Sequence, residues 1–133
     1  MADYFHMDMD ACKIGAISNL GLAHLGDAVY ELLVRTRLCT EGQATAKGLH
    51  YAAVQQVSAP AQAKAAEKLM PHLTEEEQKI YRRGRNTRTG TIPQSASVKE
   101  YHAATGLETL FGYLYLRGET ARIGELFAVI VEG

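Results

Sequence analysis

From Tyr101 to Leu116 the chain carries one acid, Glu108, and no lysine or arginine. Leu107, Leu110, Phe111, Leu114, Tyr115 and Leu116 crowd around that acid, and its neighbours at helical spacing include Ala104, Thr105, Phe111 and Gly112. A helix that is apolar or small on most sides is buried on most sides. Other elements must therefore pack around this one. Its limits are marked: Ser97 and Glu100 stand at capping-box spacing and Gly118 stops it.

The same signals recur along the chain. Ser18 or Asn19 caps a first long helix, about Leu20 to Leu38, whose apolar stripe is Leu22, Leu25, Val29, Leu32 and Leu33. A second helix is expected from about Ala44 to Val57. Ser58 caps a third, which tolerates Pro60 in its first turn and stops near Pro71. Thr74 and Glu77 form another capping box, opening a fourth helix that frays at Gly84 or runs on to about Arg88. Thr89 to Ala96 reads as a loop with Gly90 and Pro93 as breakers, and a last helix covers about Thr120 to Val131. No segment alternates with period two. The expected fold class is all-α, an irregular helical bundle.

At 133 residues there is room for one core and no second module. The division expected is a flexible leader at residues 1–14 and a single domain at 15–133. Apolar residues make up 47% and charged residues 22%, which excludes a disordered chain. The apolar runs are too short and interrupted for a membrane span. The leader, MADYFHMDMD, has three aspartates and no cation, unlike a signal peptide. A cytoplasmic protein is expected, with Cys12 and Cys39 as buried thiols rather than a disulfide.

Glu108 is expensive in apolar surroundings unless it is paired, hydrogen-bonded or bound to a metal. Asp27 reads as a second such acid, following Gly26 inside a helix among Ala23, Ala28, Tyr30 and Val34. Asp and Gly are both poor interior helix residues, and a small residue permits close approach of a second helix or a ligand. Gly112, one turn after Glu108, can serve similarly. Each acid could instead be a structural acceptor paired with an arginine. As a pair on two central helices they suit magnesium, which needs only one or two protein carboxylates and keeps several waters. Glu31, one turn after Asp27, either joins the site or faces solvent, and His24 either faces it or is a partly buried polar residue. The histidines show no metal-ligand spacing, no Ser or Cys shows nucleophile geometry, and Gly84 and Gly90 fit no phosphate loop.

Net charge is −1, yet Lys79 to Arg88 holds five cations and no acid. Arg82, Arg83, Arg85 and Arg88, with Asn86 among them, fall where the fourth helix gives way to a loop. Cations complement the dipole at a helix C-terminus. This density exceeds that need and matches the two-bond geometry of arginine with phosphate.

These residues also carry a resemblance. Leu25-Gly26-Asp27-Ala28-Val29, preceded by Asn19, resembles the signature helix of the ribonuclease III family. Ala104-Thr105-Gly106-Leu107-Glu108 through Gly112 to Leu116 resembles its second acidic motif. Gly26 to Glu31, Val57-Ser58-Ala59 and Arg82-Arg83-Gly84-Arg85-Asn86 are similar to the compact bacterial branch, Mini-ribonuclease III, which lacks a double-stranded-RNA-binding domain. The similarity spans about Leu20 to Leu126.

The resemblance implies an endoribonuclease domain that cuts double-stranded RNA and leaves 5′-phosphate ends. It makes Asp27 and Glu108 the catalytic, metal-binding acids, with Mg2+ as cofactor and Mn2+ as a substitute. The metal would activate a water for in-line attack on phosphorus. The RNA-binding residues are Arg82, Arg83, Arg85, Asn86 and Arg88. The resemblance further implies a homodimer in the bacterial cytoplasm, maturing the ends of 23S ribosomal RNA, with or without a ribosomal protein as helper. Leu20 and Ala23 stand where the larger members have glutamates, and Thr105 where they have an aspartate, so water and RNA phosphate must supply more ligands. The alternatives are a non-catalytic module of the same fold that holds structured RNA, and a helical interaction protein that binds no nucleic acid.

Overall fold

The computed structural model describes residues 2–42, 45–87 and 97–132. Arg88 and the loop read from Thr89 to Ala96 lie outside the described residues. Among the described residues seven α-helices run in order: α1 Ala11–Ile14, α2 Asn19–Thr40, α3 Ala46–Val57, α4 Ala59–Leu69, α5 Glu75–Arg85, α6 Val98–Leu116 and α7 Thr120–Glu132. A 3-10 turn, Met70–His72, follows α4. Among the described residues there is no strand, and no helix is long and apolar enough to cross a membrane.

The helix starts are where the side chains place them. Ser18 Oγ accepts from Gly21 N, and Ser58 both ends α3 and caps α4 through Ala61 N. Both capping boxes form: Thr74 with Glu77 on α5, and Ser97 with Glu100 on α6. Each satisfies two backbone donors that would otherwise lack partners. Gly118, at φ 78°, closes α6 in a conformation that L side chains rarely adopt.

Helix α6 is the axis of the fold, and α2, α4, α5 and α7 all pack on it. Leu107, Leu110, Phe111 and Leu114 are buried against Tyr30 and Val34 of α2, Leu69 of α4, Ile80 of α5 and Leu126 of α7. Its nearly all-apolar surface is thus consumed by neighbours on several sides.

Two expectations change. Residues 7–17 are docked rather than loose. Met9 N donates to the Leu116 carbonyl at 2.7 Å, Arg117 Nη1 donates to the Met9 carbonyl at 3.1 Å, and Ile14 is buried with Leu22 and Leu116. The leader's acids draw attention away from Met7, Met9 and Ile14, which give it an apolar face. Cys12 and Cys39 are free and exposed, not buried; each lies on the open side of a helix whose other side faces the core.

Candidate active site

Two glycines bring the acids together. A Cβ on Gly26 would fall on the Glu108 carbonyl oxygen, and a Cβ on Gly112 would fall on the Leu22 carbonyl oxygen. The backbones of α2 and α6 therefore touch where they cross, which no larger residue allows. Asp27 on α2 and Glu108 on α6 stand at this crossing, one residue after Gly26 and at the residue whose carbonyl Gly26 meets.

Their environments differ from the expectation. Glu108 is half-buried, whereas Asp27 is exposed. The cost of burial therefore falls on Glu108. Desolvation, the Asp27 charge and the hydrogen bond shared with Asp27 push its carboxyl up to about 8, against a small opposing effect from Gln62. No lysine, arginine or histidine pairs with either acid among the described residues.

Gln62 of α4 completes the site. It is 2% exposed, and its Nε2 donates to the Val57 carbonyl at 3.0 Å and to Glu108 Oε2 at 3.4 Å. Its Oε1 is buried with no partner among the described residues. Sequence pattern alone does not single out Gln62; its one signal is an amide on the stripe Gln62, Ala65, Ala66 and Leu69, otherwise alanine and leucine.

The neighbouring candidates are otherwise engaged. Glu31 pairs with Arg35 at 3.3 Å, His24 is exposed, and the buried Thr105 gives its hydroxyl to the Tyr101 carbonyl. No group of three or more His, Cys, Asp or Glu side chains suited to a metal exists among the described residues. Two carboxylates without a cation, beside an orphaned buried acceptor, are a donor set that fits magnesium, whose remaining ligands are waters and phosphate.

The basic segment is fixed to the same frame. A Cβ on Gly84 would strike Thr109, and one on Gly106 would strike Tyr81, so α5 is pressed onto α6. Asn19 Nδ2 donates to Thr87 Oγ1 at 3.1 Å, joining the end of α5 to the start of α2. Asn19 precedes Asp27 by about 12 Å along the helix axis. Arg82, Arg83 and Asn86 are exposed. Arg85 is half-buried, bonds Asn86 Oδ1 at 3.3 Å and lies 5.8 Å from the Tyr81 ring centroid. Among the described residues none of these three arginines pairs with an acid.

The ribonuclease III domain family matches residues 20–119, a stretch that holds both acids, the glycine crossing and the arginines. This chain belongs to the ribonuclease III family. A protein named Mini-ribonuclease 3 from Symbiobacterium thermophilum is 50% identical over 107 residues, covering 80% of this chain and 82% of the relative. A Mini-ribonuclease 3 from Clostridium tetani is 41% identical over 113 residues, covering 84% and 75%. A crystal structure of a Fusobacterium nucleatum protein superposes with a TM-score of 0.80 at 33% identity, covering 87% of this chain and 94% of that one. This ribonuclease III family member is an endoribonuclease. Its all-α fold and its family are as the sequence motifs implied.

Proposed function

We propose that this endoribonuclease cuts double-stranded RNA with a magnesium ion held by Asp27 and Glu108. The observation that carries the reading is the pair of facing carboxylates with no cation partner among the described residues. Structural acids are neutralised by their neighbours. This pair is held together by a glycine crossing; without a cation the cost of ionising both acids pushes the Glu108 carboxyl up to about 8, and a divalent cation is the partner that suits the ionised pair. A bound magnesium would acidify a water and offset negative charge at phosphorus, leaving a 3′ hydroxyl and a 5′ phosphate.

The protein's own part is positional. Glu108, drawn back into the α2–α6 crossing, and the exposed Asp27 would together hold the cation. Arg82 and Arg83 bind backbone phosphates from the end of α5, Asn86 adds a polar contact, and Arg85 is steadied by Tyr81. Arg88 belongs to the same segment by sequence. Backbone contacts suit duplex RNA, which is read mainly by shape.

A homodimer follows from the same helix. Leu20, His24, Ala28 and Leu32 form a slanting row on α2, all exposed, with Leu20 at 42% and Leu32 at 55%. A second copy would cover that row and set two sites against the two strands. The family resemblance extends the proposal to maturing the ends of 23S ribosomal RNA in the bacterial cytoplasm, with a ribosomal protein as an optional helper.

The test is cleavage of a long RNA duplex, with magnesium or a chelator, by wild type and Glu108→Gln. Cutting should require both magnesium and Glu108, spare single strands, and fall by roughly 10³-fold or more in the variant, because loss of a metal ligand removes several kcal/mol of transition-state stabilisation. Tight duplex binding without cutting by pure wild type would favour the non-catalytic binding module instead.

A further inference from the structure

Gln62 lies on the buried stripe of α4, where alanine and leucine fill every other position. A side chain there need only pack, and an amide brings polar atoms that must be satisfied. Its orientation is forced. Nε2 faces the Val57 carbonyl and Glu108 Oε2, both acceptors; turning the amide over would set oxygen against oxygen. Oε1 is consequently left buried with no partner among the described residues.

We infer that Gln62 is a positioning residue for the metal site: its nitrogen fixes the Glu108 carboxylate beside Asp27, and its Oε1 accepts a hydrogen bond from a water of that site. The nitrogen bridges the last residue of α3 and the acid of α6, so one amide sets the Glu108 rotamer from two fixed points. The oxygen is a buried acceptor on the same amide, next to a group that attracts a hydrated cation. Partners one shell out from a metal orient the ligands and their waters, and removing one costs 10- to 100-fold in affinity or activity. This inference rests on the metal-site reading of Asp27 and Glu108.

The experiment titrates Mn2+ calorimetrically into wild type, Gln62→Met and Glu108→Gln, with circular dichroism as the folding check. Duplex RNA affinity is measured in chelator, and cleavage across a Mg2+ series. Gln62→Met keeps the volume and removes the amide. It should stay helical, bind duplex as wild type does, bind Mn2+ roughly 10- to 100-fold more weakly, and recover cleavage as Mg2+ is raised. Should the Met variant fail to fold, Gln62→Asn carries the same expectation, since its amide stops a methylene short of Glu108. Wild-type Mn2+ affinity and Mg2+ dependence in a folded variant would overturn the inference. So would parallel loss of duplex binding, helix content and Mn2+ affinity in both variants, the behaviour of a core residue only. Absence of Mn2+ binding by wild type would instead defeat the metal-site reading beneath it.

Discussion

Two acids in this molecule are withdrawn from water and treated in opposite ways. Glu77, at the start of α5, is 7% exposed and fully partnered. Arg122 of α7 donates from Nε to Glu77 Oε2 and from Nη2 to Oε1, each at 2.9 Å, and Thr74 N adds a third bond. Burial alone would raise Glu77, but these bonds outweigh it and hold the carboxyl below its ordinary value. Glu108 has a second acid and one long amide bond where Glu77 has a guanidinium, and its carboxyl is pushed up to about 8. Burial acts on both carboxyls, so the difference lies in the company each keeps. Glu77 closes the bundle between α5 and α7, while Glu108 keeps no cation partner among the described residues.

The strongest way to break the comparison is to give Glu77 the isolation of Glu108. Arg122→Ala leaves a nearly buried carboxylate without its fork, and unfolding free energy should drop by about 3 kcal/mol, at the low end for a broken buried pair because Arg122 keeps some solvent contact. Denaturant unfolding reads this. Cleavage measured well below the new melting point should stay within a few-fold of wild type, whereas Glu108→Gln should show the reverse pattern.

A pH series sharpens the contrast, because the two acids respond with opposite sign. In the metal-free protein the Glu108 carboxyl is raised from its ordinary 4.5 to about 8. The folded state then binds more protons than the unfolded state across that window, so this group's contribution is present below about pH 4.5 and is lost as pH rises through about 8. Glu77 is depressed, so its contribution is present above its ordinary pKa and fades as pH falls through the lowered value. Melting in chelator should therefore show a decline toward pH 8 that Glu108→Gln removes, and an acid-side loss that Arg122→Ala reduces.

The smallest effect concerns cations. Arg122 is neutralised by Glu77 and Glu125, whereas Arg82 and Arg83 are exposed and pair with no acid among the described residues. Arg83→Ala should leave stability within about 0.5 kcal/mol of wild type. It should weaken duplex RNA binding and reduce the slope of log affinity against log salt by about one, as for a lost phosphate contact.

Local signals were legible in the sequence, and long-range pairings were not. Ser18, Ser58, Thr74 with Glu77 and Ser97 with Glu100 announced helix starts that all formed, because capping is a contact across three residues. Gly26 and Gly112 announced a close approach, since small residues inside helices are costly without one. Burial of Asp27 was misread because α2 is apolar on several sides and the sequence alone does not say which side α6 covers. Glu77 was legible as a cap but not as the partner of Arg122, 45 residues away. Gln62 escaped notice because one amide in an alanine-rich helix looks like surface until α6 is placed against it. The docking of Met7 to Ile17 depends on Leu116, at the far end of the chain. The acid pair itself was legible through two motifs that had to be read together.

The most direct test of the central claim is the melting temperature of Asp27→Asn beside wild type, each in chelator and in saturating magnesium. At a pH above about 8, where Glu108 is ionised in the metal-free protein and the two carboxylates repel, the metal-free variant melts at or above wild type, and only wild type gains stability from magnesium. A metal-free variant that melts well below wild type, as Arg122→Ala should, with a magnesium response left intact, would make Asp27 a structural acceptor and contradict the account.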